Sequence, residues 1–239
     1  MSGWTAKRFW TLAQAIPVGE GFSVVLDGRG VKTPAKADLI VPTLALAEAI
    51  AAEWQAQQGK INPATMPFTR SANAAIDKVR PQFTEVAAMI AAYGDTDLLC
   101  YRAESPERLV ARQSEGWDPL LDWAAEDLGA RLTPIRGVIH RPQDPGYLRI
   151  LTDHVSAQSP FELTAFHDLV ALSGSLIIGF AAIRGHLPLA TLWDRSRIDE
   201  HWQAELWGAD EDAAEMEALK RDAFLHAGRF HSLCLAPSR

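Results

Sequence analysis

Asp95-Thr96-Asp97 sets two carboxylates on either side of a hydroxyl. These residue types can hold a hard cation or divide general acid and general base work between them. The same tripeptide suits a helix terminus, where Asp97 or Thr96 satisfies backbone N–H groups that the first turn leaves open. Seven histidines are available to such a pair, so an enzyme using Asp95, Asp97 and a histidine from a distant segment is the catalytic reading the residues allow. Other candidates fail on spacing. His201 and Glu205 stand four apart, as two ligands on one helical face do, but no third ligand follows; His226 and His231 stand five apart and diverge. Gly28-Arg29-Gly30-Val31-Lys32-Thr33 starts like a dinucleotide loop but lacks a third glycine and a following helix, and reads as a hairpin turn. Ser173-Gly174-Ser175 lacks the glycine spacing of a nucleophile elbow, and no loop ends in Gly-Lys-Ser/Thr to cradle a phosphate. Cys100 and Cys234, the only two cysteines, read as buried thiols. No cofactor and no metal is expected.

The tryptophans carry more information. Trp202 and Trp207 are five residues apart, about 140° round a helix, so they cannot share the centre of one narrow core stripe. Arg195, Arg197, Asp199, Glu200, Glu205 and Asp210-Glu211-Asp212 surround them. Tryptophan among charges is the composition of a protein interface anchor, and also of semi-buried core.

Elements that could position such a surface follow from periodicity. Residues 169–183, LVALSGSLIIGFAAI, contain no charge. A helix apolar all round must be enclosed by lipid or by other helices, and about 15 residues are too few to span a bilayer. A buried central helix over 163–184 is predicted, with Ser173, Gly174, Ser175 and Gly179 allowing close helix approach. Towards the N-terminus, short apolar runs broken by turn formers (a possible strand over 9–16, then 22–26, 31–34 and 39–41) predict an antiparallel sheet. Thr43 is a cap for a helix with Leu44, Ala47, Ile50, Ala51 and Trp54 on one stripe. Pro63 and Pro67 make residues 59–68 the expected linker. Thr69 and Ser105-Pro106 read as further helix starts, Pro119 as a bend, and Val138-Ile139 as a short extended piece. The fold class expected is α+β: a small N-terminal antiparallel β domain with one helix (1–66), then a larger helical domain (67–239).

With 239 residues, 48% of them apolar, the chain can bury a substantial core. Its net charge of −7 argues against nucleic-acid binding, which needs a basic face. Nothing in the first residues reads as a secretory or transit segment, so a cytoplasmic protein without stable membrane insertion is expected.

Several peptides, in order, resemble one family. They include Lys7-Arg8-Phe9, Leu26-Asp27-Gly28-Arg29, Glu53-Trp54, Met66-Pro67 with Thr69-Arg70, Ala72-Asn73 with Ala75-Ile76-Asp77, and Thr96-Asp97-Leu98-Leu99-Cys100-Tyr101-Arg102. Further on come Trp117-Asp118-Pro119-Leu120, Gly174-Ser175-Leu176, and Asp199-Glu200 with Trp202-Gln203, Glu205 and Trp207-Gly208. The chain is similar in these to the chaperones that assemble the catalytic head of F-type ATP synthase. The resemblance implies a non-enzymatic chaperone that holds the free alpha subunit until beta replaces it; a bacterial protein and a monomer are expected. Glu205 is the first choice for a client contact, then Glu200, with Trp202 and Trp207 beside them.

Overall fold

The computed structural model describes residues 7–208 and 210–235. The chain forms two compact units: unit 1 is drawn from Met1–Phe83, Ser159–Ala165 and Arg229–Arg239, and unit 2 from Thr84–Gln158 and Phe166–Gly228.

In unit 1, strands β1 (Ala13–Val18), β2 (Gly21–Leu26), β3 (Arg29–Gly30) and β4 (Ile40–Val41) form an antiparallel sheet in which β2 pairs with each of the others. The first strand begins at Ala13, not at Phe9, because side chains satisfy the preceding backbone. The Arg8 guanidinium donates to the carbonyls of Trp10, Thr11, Gln55 and Gln57. The Asp27 carboxylate accepts the N–H groups of Thr11 and Leu12, each at 2.9 Å, and these bonds hold its pKa below the usual carboxylate value. Helix α1 (Leu44–Gln55) starts on the Thr43 hydroxyl, which accepts the Leu46 N–H and donates to the Leu233 carbonyl. Leu46, Ala47, Ile50, Ala51 and Trp54 are buried, whereas Leu44 is exposed. Trp10 packs edge-on against Trp54 at 5.3 Å. Ile61 and Met66 flank a 3-10 turn at Pro63–Thr65 and are buried in this core, as are Phe161, Ala165, Phe230 and Cys234.

Helix α2 (Pro67–Ala74) does not use Thr69 as its cap. The Glu53 carboxylate of α1 does that work from outside, accepting the N–H groups of Phe68 (2.6 Å) and Thr69 (2.8 Å) and the Thr69 hydroxyl (2.7 Å). Burial pushes the Glu53 pKa up against these bonds. Glu53→Ala is expected to cost about 2–3 kcal/mol, since three donors lose one charged acceptor; urea unfolding measures this.

Unit 2 is helical: α3 (Phe83–Ala91, from Thr84), α4 (Glu107–Trp123), α5 (Pro145–Ser156), α6 (Pro160–Ser173, from Phe166), α7 (Leu176–Ile183), α8 (Leu189–Ser196), α9 (Ile198–Trp207) and α10 (Glu211–Cys234, to Gly228). A two-residue parallel pair, β5 (Tyr101–Arg102) with β6 (Ile135–Arg136), joins them. Trp117, Phe166, Phe180, Trp193 and Phe224 are almost wholly buried. The expected continuous helix over 163–184 is interrupted. Gly174 takes φ +75, a left-handed conformation that ends α6, and the Ser175 hydroxyl then caps α7 by accepting the Ile178 N–H at 3.0 Å. Close approach is retained at Gly179, where a Cβ would meet Val170 Cγ2 at 2.6 Å.

At the start of α4 the cap is Pro106 itself, without a side-chain bond; Ser105 precedes it rather than capping it. Pro119 lies inside α4 and does not divide it; the chain then widens through a π turn, Ala124–Leu128, to Gly129 at φ +71. Val138 and Ile139 are not strand; β6 ends at Arg136. No helix among the described residues is long and apolar enough to cross a membrane.

Candidate functional site

Helix α9 lies against α4 through polar pairs. The Arg112 guanidinium donates to Glu205 Oε1 at 2.7 Å, Gln113 Nε2 donates to Asp199 at 2.7 Å, and the Trp117 indole N–H donates to the Arg195 carbonyl just before α9. His201 Nε2 lies 2.8 Å from Glu217 on α10. These ties fix the register of α9, so one of its faces is presented with little freedom.

Each residue singled out from sequence has a definite place. Glu205 is held by Arg112, and that bond lowers its pKa while raising the arginine's. The same guanidinium lies over the half-buried Trp202 ring, 5.9 Å from its centre. Glu200 sits apart, paired with Arg197 at 2.8 Å, whose guanidinium in turn covers Trp193. Trp207 closes α9 and is 80% exposed. Glu205 and Trp202 therefore share one cation, whereas Glu200 and Trp207 do not join them.

The end of α9 and the start of α10 form an exposed tip. From Gln203 to Met216 every described residue is exposed, including Leu206, Trp207 and Met216. Residues 199–222 contain nine acids against Lys220 and Arg221, a formal −7 that equals the charge of the whole chain. The tip thus combines unburied apolar side chains with a concentrated negative field, which steers a basic partner towards it.

A groove of about 630 Å³ beside α9 is lined by Trp202 and Gln203, by Val138 and Ile139, and by Tyr101 and Leu109. Arg112 carries no mark in one sequence, since it is an ordinary polar residue on a helix, and Val138 and Ile139 read there only as a short extended piece.

Asp95 and Asp97 part company. Asp97 is fully buried and accepts from Ser175 Oγ (2.8 Å), Leu99 N (3.0 Å) and Ile177 N (3.1 Å). Asp95 accepts the Gln143 N–H at 2.7 Å and faces His140 Nε2 at 3.3 Å; His140 Nδ1 is 3.0 Å from the Tyr101 hydroxyl. Asp97 is therefore a structural acceptor closed to substrate. Among the described residues no group of three His, Cys, Asp or Glu side chains could hold a metal ion. Both cysteines are buried, and burial raises both thiols, Cys234 to about 12. In the native protein neither is expected to react with a disulfide reagent such as DTNB at pH 8, and both should react in denaturant.

Comparison with known proteins gives one consistent result. The family described as ATP12 chaperone protein matches residues 7–125. The crystal structure of Atp12 from Paracoccus denitrificans superposes with a TM-score of 0.95 at 52% identity, covering 97% of this chain and 100% of that one. A protein of Agrobacterium tumefaciens gives 0.90 at 39% identity over 96% and 86%. Mitochondrial protein atp12 of Schizosaccharomyces pombe is 28% identical over 225 residues, 88% of this chain and 77% of that protein.

Proposed function

Since the chain belongs to the ATP12 family of ATP synthase assembly chaperones, we propose that it binds the free alpha subunit of the F-type ATP synthase head. As a cytoplasmic, non-enzymatic monomer, it keeps that subunit from aggregating until beta pairs with it. The observation that carries this reading is the α9–α10 tip. Leu206, Trp207 and Met216 are all left uncovered in this stretch, and apolar side chains among charges are what an assembly intermediate needs in a temporary partner. Glu205, Glu200, Trp202 and Trp207 are the client-binding residues on this reading. The acid–base alternative has lost one of its two carboxylates to burial, so the chaperone reading is preferred.

The test is co-purification with alpha or beta subunit expressed separately, and light scattering of alpha as it is diluted from denaturant. Selective retention of alpha with suppressed scattering is expected. Retention of neither subunit, with unchanged scattering, would overturn the proposal.

A further inference from the structure

The loop following β6 runs Arg136-Gly137-Val138-Ile139-His140-Arg141 and is built as a rigid knob. Its backbone is pinned at both ends: the Gly137 N–H donates to the Arg102 carbonyl at 2.9 Å, and His140 is set between Asp95 and Tyr101. The Gln143 side chain accepts the Thr133 N–H and donates to the Thr133 carbonyl, bracing the loop from beneath. On this frame Val138 is 92% exposed and Ile139 79%.

Two exposed arginines flank the knob, and neither forms an ion pair with a described residue. Arg102, Arg112 and Arg197 of the same unit are paired, with Asp118, Glu205 and Glu200. Arg136 and Arg141 thus place two positive charges, with Glu104 and Asp144 lining the same cavity but neither in ion-pair contact, beside two uncovered apolar side chains, in a unit whose α9–α10 tip is acidic. The groove shared by the knob and Trp202 has polar walls, with Gln203, Glu104 and Asp199 among them, and Gln203 can hydrogen-bond a peptide backbone.

We propose that this knob and groove are a second docking surface, taking an apolar segment of the client whose flanks carry carboxylates. The proposal rests on the chaperone reading above and extends it, since the groove is continuous with the Trp202 face of α9. Opposite charges at the two surfaces would fix the orientation of a client that the tip alone leaves free to turn. A lipid surface fits less well: two arginines supply little attraction to anionic lipid, and a protein of net charge −7 is repelled overall.

The test uses the full chain and the alpha subunit. Arg136→Glu with Arg141→Glu forms one variant and Val138→Ser with Ile139→Ser another. All four side chains are exposed, so both variants should melt with the parent. Each is expected to bind alpha at least about 10-fold more weakly than the parent. If the parent binds alpha and both variants bind equally well, the second surface is overturned while the chaperone reading stands. If the parent itself retains no alpha, both fall. Flotation of the parent, but not the variants, with phosphatidylglycerol vesicles would overturn the proposal in favour of a membrane contact.

Discussion

Asp97→Ala is expected to cost about 3–6 kcal/mol of folding stability, because it leaves the N–H groups of Leu99 and Ile177 and the Ser175 hydroxyl buried without their acceptor. Domains of this size hold only about 5–15 kcal/mol, so the variant should unfold at far lower urea and purify poorly. Asp97→Asn keeps the shape but turns an amide donor towards N–H or O–H donors, and should lose less. The pH dependence separates charge from shape. Burial pushes the Asp97 carboxyl up to about 6, above its unfolded value near 3.8, so the folded chain takes up a proton over that window before the unfolded chain does. This group therefore favours folding most below about pH 4, and its contribution declines as pH rises through 6. Asp97→Asn cannot titrate, so the stability difference between parent and variant should shift in the parent's favour on acidification from pH 7 to 5. An unchanged difference would refute the assignment.

Trp207→Ser is expected to weaken alpha-subunit binding about 30-fold or more while leaving the melting temperature in place. Interface tryptophans commonly contribute 2 kcal/mol or more when truncated, and Trp207, 80% exposed, contributes little to the fold. Glu205→Lys tests the charge of the same surface. It removes the partner of Arg112 and sets a like charge beside it, which costs an exposed pair little stability but turns the local field against a basic partner. Binding about 10-fold weaker, with an unchanged circular dichroism spectrum, is the expected result. Isothermal titration against alpha subunit reads both variants; wild-type affinity in Trp207→Ser removes the tip from the client surface.

How much of this was legible in the sequence depends on the reach of each interaction. The Thr43 cap and the burial of Trp54 follow from signals within a few residues, and the structure has them. Gly174-Ser175 also carries a local stop-and-start signal, but inside an uncharged run the small residues read as close packing, and the break went unseen. What decided it lies far off in the chain: Asp97 draws the Ser175 hydroxyl and the Ile177 N–H across 78 and 80 positions. Glu53 was hidden for the same reason, since a carboxylate beside Trp54 says nothing of donors 15 and 16 residues on. The acidic and aromatic composition around α9 was plain in the sequence, whereas the exposure of Val138 and Ile139 depends on a loop frame assembled from three separated segments.

The C-terminal part of α10 has a consequence for synthesis. Phe230 and Cys234 belong to the same core as Val24, Leu46 and Trp54, and the Thr43 hydroxyl that starts α1 donates to the Leu233 carbonyl. A ribosome delivers Thr43 some 190 residues before Leu233, which at bacterial elongation rates of about 5–20 residues per second is a wait of roughly 10–40 s. Throughout that interval the sheet is translated but its core is open on one side. A member of an assembly-chaperone family therefore carries an unfinished surface of its own until its last turn of helix leaves the exit tunnel.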